Sequence, residues 1–429
     1  MSPALVAAAI FLVALALILS ERLDRTIVAL AGASLMVGAG MYFGFYDEHL
    51  AVEAVDFETI GLLFGMMTLV ALLRPTGAFE YLAIRAARIS AGRPVRLLVL
   101  LGLVTTLLSM VLDNVTTVVL IAPVTVLITE ILGLSPVPFL VAEAILSNTG
   151  GVATLIGDPP NVLIGSAAEL TFNDFLAHSL PLVAVAWLAA LATLLLLFRR
   201  QLGSRPANPE VLDRLDPGEA LHDPVTARKL GIVLLVTVGL FFLQGQLNLT
   251  SSFIAVSMAA VALVWLRPSV DEAMHLVEWP VLLFFMGLFV MVGGLEHSGA
   301  LVFIEEAVLA ISGSGPQLTG IAIIWLTAIA SAMVDNIPIT VALIPVIQYL
   351  EGSGVEVFPL WWALAFGAGF GGNGTIIGST ANIIVVQLSK RTREPIDAVM
   401  WAKRGLPVMV VTCLVATLAY LLAFPLFTR

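Results

Sequence analysis

Two stretches 222 residues apart constrain how this chain can fold. LDNVTTVVLIAPV (112–124) and VDNIPITVALIPV (334–346) each set an Asp-Asn pair inside apolar sequence, aligning Asp113 with Asp335, Asn114 with Asn336 and Pro123 with Pro345. A second pair, GGVATLIGDPPN (150–161) and GGNGTIIGSTAN (371–382), aligns at an offset one residue shorter. It matches Gly150, Gly151, Thr154, Gly157 and Asn161 to Gly371, Gly372, Thr375, Gly378 and Asn382. The chain reads as a duplicated unit, so a fold for one half has to serve the other.

The sequence around these motifs excludes a soluble domain. Of 429 residues, 59% are apolar and 12% charged, with a mean hydropathy of +1.04; soluble domains are roughly half apolar and a quarter charged. Apolar runs close to the ~20 residues that cross a bilayer as helix recur along the whole chain. The expected class is an all-α polytopic membrane protein. The run 3–19 has no basic leader or small-residue cleavage site and reads as a retained helix. The single cysteine, Cys413, excludes an intrachain disulfide and a thiolate cluster. No histidine spacing suits a metal, and nothing points to nucleic acid.

Taken in order, the pattern predicts helices at 3–19 and 27–45, a third ending at Leu73, and a surface helix at 77–96 with Arg85 and Arg88 opposite Phe79, Leu82 and Ala86. A re-entrant hairpin at 97–132 has Asp113-Asn114 near its tip, because a polar break at membrane depth is tolerated only against protein or water. The run 137–168 is interrupted by glycines and prolines and reads as a broken helix, followed by a helix at 175–198. After a polar linker at 199–229, the second half repeats the order: helices at 230–247, 251–266 and 280–295, a surface segment at 299–312, a hairpin at 317–350, a broken helix at 361–390 and a last helix at 405–427. The first repeat is thus 1–198 and the second 230–429.

Five crossings and one hairpin per half force the halves into opposite orientation. Loops 20–26, 74–96, 199–229, 267–279 and 388–404 all fall on one side and hold every Lys and Arg except Arg429. By the positive-inside rule that side is the cytoplasm, and both termini lie outside the cell's inner membrane. Glu305 and Glu306 then occupy the outer counterpart of the arginine-bearing surface helix. Inverted repeats with discontinuous helices are the architecture of secondary transporters, which bind solute at the repeat interface.

Asp113 and Asp335 lie in apolar sequence, where a charge costs at least about 2.5–3.5 kcal/mol. They read either as a proton or cation site or as N-caps of the following helices. Asn148, Thr149, Thr154 and Asn161 surround the first break, and Asn373, Thr375, Thr380 and Asn382 the second; they suit a small polar solute or merely satisfy the breaks. Glu143 and Asp158 face Leu364 and Ser379 in the other half, which marks them as candidate coupling acids, with a structural acid and a helix cap as the alternatives.

DNVTTVVLIAPV, SNTGGVATLIGDPPNVLIG and GFGGNGTIIGSTANII resemble the ion transporter superfamily, in particular its arsenite permeases, sodium–proton antiporters of the NhaD kind and P-protein permeases. The resemblance covers nearly the whole chain. It implies a scaffold part and a transport part in each repeat, often a dimer, and a solute site on Asp113, Asn114, Thr116, Asn148, Thr149 and Asn161 with Asp335, Asn336, Thr340, Asn373, Thr375 and Asn382 opposite.

The leading expectation is proton-coupled efflux of arsenite or antimonite, because neutral hydroxides need amide and hydroxyl partners and no Lys or Arg falls in the predicted transport core. Sodium–proton antiport and anion or dicarboxylate transport are the alternatives. An intramembrane aspartyl protease would need Asp113 and Asp335 in contact, sharing a proton. No cofactor is expected beyond a proton or sodium gradient. The expected partners are a small inorganic solute or ion, the lipid bilayer, a second copy as homodimer, and a cytoplasmic ATPase if export uses one.

Overall fold

Helix boundaries follow the capping residues. Asp24 accepts from the amides of Thr26 and Ile27, at 2.8 and 3.3 Å, and starts helix Arg25–Phe43 two residues ahead of the apolar run. Asp223, with Pro224 at the first helical position, starts Pro224–Leu247 six residues before the expected 230. The end of the polar linker is therefore helical, and the Lys229 ammonium lies 5.7 Å from the centre of the Trp265 ring. In Ala78–Ser90, Phe79 and Ala86 are buried as the pattern predicts, but Leu82 is on the exposed side with Arg85 and Arg88.

This computed structural model describes residues 2–428 apart from 21, 208, 209, 276, 301–314 and 353. The predicted surface segment at 299–312, with Glu305 and Glu306, lies almost wholly outside the described residues. The protein is all-helical, with no strand among the described residues. Eight of its described helices are long and apolar enough to cross a membrane. Leu235, Val264 and Leu422 are 74, 74 and 82% exposed, an apolar surface that suits lipid rather than water.

In the stretches read as hairpins, helix Pro94–Ser109 is followed by Asn114–Ile131, and Pro316–Met333 by Asn336–Gly352. In those read as broken helices, Val137–Gly151 is followed by Pro159–Ala167, and Phe358–Gly371 by Thr380–Ser389. Packing exchanges partners between the halves. Helix Arg25–Phe43 lies against Trp279–His297, while Phe57–Leu73 lies against Ser251–Leu266. Likewise Pro159–Ala167 meets Asn336–Gly352, and Thr380–Ser389 meets Asn114–Ile131. These last contacts bring the hairpin tips and the helix breaks together.

Small residues set how closely the outer pairs approach. A Cβ on Gly65 would stand 2.4 Å from the carbonyl carbon of Ala255, and one on Gly287, 222 residues later, 2.8 Å from that of Ala29. Both clash with backbone, which cannot swing aside as a side chain does. Gly65→Leu is expected to destabilise the protein by about 1–3 kcal/mol, the usual range for overpacking, and to lower its melting temperature in detergent. Gly239→Leu, where nothing lies within 4 Å, is the control and leaves the melt unchanged. Equal melting of the two variants would remove backbone contact as what holds these helices.

Candidate functional site

The two breaks carry the same hydrogen bonds. Asn161 Nδ2 donates to the carbonyls of Gly151 (3.1 Å) and Thr154 (2.8 Å), and Asn382 Nδ2 to those of Gly372 (2.7 Å) and Thr375 (2.8 Å). Thr154 Oγ1 donates to the Met110 carbonyl at 2.5 Å and accepts from Gly157 N; Thr375 Oγ1 does the same with Ala332 and Gly378. Four of the predicted solute ligands thus use their donors on unwound backbone and on the adjoining hairpin. Thr340 is turned back too, donating at 2.8 Å to the Asn336 carbonyl within its own helix.

Between the breaks lies a buried amide cluster. Asn148 Oδ1 accepts from Asn114 Nδ2 and Ser379 Oγ, each at 3.0 Å, while its Nδ2 donates to Asn382 Oδ1 at 3.0 Å and Asn373 Oδ1 at 3.2 Å. Asn373 Nδ2 donates to Thr149 Oγ1 at 3.0 Å. Asn148 belongs to the first half and Asn373, Ser379 and Asn382 to the second, so this cluster ties the halves through side chains.

The acids divide into different environments. Asp113 is an N-cap, accepting from Thr116 N at 2.7 Å and Thr116 Oγ1 at 2.6 Å. Asp158 makes no side-chain cap, and the Asn161 amide donates to its backbone carbonyl at 2.9 Å. Its buried carboxylate instead accepts from Asn336 Nδ2, at 3.0 and 3.2 Å, across the two halves. Asp335 Oδ2 accepts from Arg25 Nη1 at 2.8 Å and from Thr380 Oγ1 at 3.1 Å. Glu143 stands outside this group: buried, it accepts from Thr125 Oγ1 at 2.5 Å.

Arg25 corrects the expectation that the transport core holds no basic side chain. Its place between two apolar runs reads as a cytoplasmic loop, yet it opens a helix and points at the second hairpin tip. Its Nη1 also donates to Thr380 Oγ1 at 3.0 Å, and its guanidinium carbon lies 5.3 Å from the centre of the Phe284 ring, a cation–π contact. Glu278, likewise read as loop, lies on the wall of the cavity between the hairpin tips. In the other half the matching helix starts at Ser251, since Gly65 packs on Ala255 as Gly287 packs on Ala29, so an uncharged serine stands in the place of Arg25.

Two cavities adjoin these groups. One, of about 30 Å³, sits between the tips with Asp113, Asp158, Glu278, Asp335 and Arg25 on its wall. It has room for little more than one water or a small ion. The other, of about 300 Å³, is walled by Asp24, Arg25, Phe284, Asp335, Pro338 and Thr380. No group of three metal-ligating side chains occurs among the described residues.

Asn148→Ala would leave Asn114 Nδ2, Ser379 Oγ and the Oδ1 atoms of Asn373 and Asn382 without this partner. Each buried group left unpaired costs about 1–3 kcal/mol, so this variant should melt well below the wild type and below Thr340→Ala. Melting at the wild-type temperature would mean that water replaces the amide and that the cluster does not hold the halves.

Comparison with known proteins follows the same lines. Residues 15–367 match the family described as citrate transporter, CitMHS. An uncharacterized transporter of Mycobacterium tuberculosis is 41% identical, covering 97% of this chain and 98% of the relative. The human P protein is 32% identical over 97% of this chain and 59% of its own length. The Alcanivorax borkumensis YdaH transporter, described as having an unusual topology, superposes with a TM-score of 0.63 at 15% identity, covering 100% of both chains. That similarity is one of fold. The duplicated motifs, the all-helical fold and the family match agree: this chain is a multi-pass membrane transporter belonging to the CitMHS citrate transporter family of the ion transporter superfamily.

Proposed function

We propose that the protein is a secondary transporter of the inner membrane that carries a small organic carboxylate together with protons, by alternating access between two inverted repeats. The observation that carries this reading is the meeting of Asp158 from one half with Asn336 from the other, beside Asp113 and Asp335. Acids gathered at the joint of two halves can exchange protons as the halves move. Four carboxyl groups face one guanidinium there, so an anion enters this wall favourably only when protons accompany it.

The 300 Å³ cavity, with Arg25 on its wall, supports an organic anion over a monatomic ion, and the family's description as citrate transporter points the same way. Asp113 and Asp335 have their own partners, Thr116 and Arg25, rather than each other, which argues against a protease dyad. The uncharged amide cluster around Asn148 favours a second reading, efflux of arsenite or antimonite as neutral hydroxides. The same acids would serve sodium–proton antiport. A homodimer is part of the proposal, and a cytoplasmic ATPase belongs to the efflux reading.

Proteoliposomes with an imposed pH gradient separate these readings. Citrate or succinate accumulating with protons supports the carboxylate carrier; arsenite flux alone replaces it with efflux; sodium-dependent proton flux alone makes the protein an antiporter. In Asp158→Asn, gradient-driven accumulation should vanish while solute exchange persists. Accumulation at the wild-type level would remove Asp158 from coupling. For orientation, cysteines placed at the exposed Arg88 and Glu169 should label from opposite membrane faces, and labelling from one face would end the inverted arrangement.

A further inference from the structure

We propose that Arg25 is a specificity-determining residue whose guanidinium is shared in turn between Asp335 and the carboxylate of the solute. This rests on the reading of the protein as a carboxylate carrier and says how proton and anion are linked. Arg25 Nη1 donates to Asp335 Oδ2 at 2.8 Å and to Thr380 Oγ1 at 3.0 Å. When a proton binds Asp335 Oδ2, the ion pair is lost and that hydroxyl remains beside Thr380 Oγ1. The guanidinium then pairs with the incoming carboxylate, and the reverse exchange releases solute and proton together. One proton accompanies each carboxylate at this position, and no covalent bond is made or broken.

Three observations carry the inference. The pair is placed for exchange, since Arg25 and Asp335 are 30 and 19% exposed and both wall the 300 Å³ cavity. Of the five guanidinium N–H groups, only those on Nη1 have protein hydrogen bonds among the described residues, which leaves a fork free for a planar carboxylate. The ring of Phe284 holds the guanidinium from one side without consuming a donor.

The surrounding charges make the exchange depend on protons. On its own helix Arg25 follows Asp24, whose Oδ1 is engaged with the amides of Thr26 and Ile27. From the packed elements the facing groups are Asp335 on the second hairpin, Asp113 on the first, Asp158 at the first break and Glu278 before helix Trp279–His297. Arg25 is the basic side chain on that wall, and Ser251, the first residue of the matching helix, holds its place in the other half. Only one half therefore offers a guanidinium, which makes the pair a property of one arrangement of the halves rather than of both.

The test compares KM for citrate and succinate across a pH series in proteoliposomes, with detergent melting as a check on folding. In the wild type, KM should rise with pH as Asp335 reclaims Arg25. Asp335→Asn frees Arg25 at every pH, so its KM should be low and nearly flat with pH. Arg25→Gln should raise KM about tenfold or more, the usual worth of a hydrogen bond to a charged group. Arg25→Lys, which keeps the charge, should fall between and stands in if the glutamine variant does not fold. A purely structural pair would instead lower the melt of all three variants and leave KM and its pH slope alone. That result, or KM in Arg25→Gln within about twofold of wild type, overturns the inference. Wild-type protein that moves no carboxylate overturns the carboxylate reading itself, a separate outcome.

Discussion

A backbone broken inside a membrane has to have its free N–H and C=O groups satisfied by the protein itself, and both breaks here meet that demand with one device. An asparagine ten residues beyond a Gly-Gly pair returns its amide to two unwound carbonyls, and a threonine between them joins the break to the neighbouring hairpin. Glycine is required where the strand of the break turns back: a Cβ on Gly151 would lie 2.6 Å from the Gly157 carbonyl oxygen, and one on Gly372 2.8 Å from that of Gly378. Everything near the joint depends on those breaks being held.

What the candidate site can do lies where the two copies differ. Asp158 stands where the second half has Ser379, Arg25 where it has Ser251, and Asn148 where it has Gly369. The missing side chain at Gly369 leaves room that Val152 of the first half occupies; a Cβ there would sit 2.2 Å from Val152 Cγ2. Duplication thus supplies a frame, and divergence within it supplies an acid, a base and an amide that meet across the joint.

The hairpin ends, the breaks and most helix ends are legible in the sequence because their causes are local: proline and glycine punctuation, an aspartate before an amide, an apolar run of fixed length. Asp113 is an N-cap, one of the two readings its sequence allows, whereas Asp158 is turned to Asn336 of the other half, a partner no neighbouring residue announces. Arg25 is not legible in this way, because charge at the end of an apolar run reports the membrane side but not what the side chain reaches. Glu143 and Thr340 sat plausibly near the site in sequence yet point to Thr125 and to their own helix.

The sequence by itself determined the class of the protein, the duplication and the places where helices break, since transfer of side chains into lipid and the capping of helix ends are set by neighbouring residues. Tertiary structure alone decided which polar groups meet. Asn148 and Asn382 are 234 residues apart, and Arg25 and Asp335 310 apart. No local pattern encodes such pairings, because they follow from helices of one half packing against those of the other.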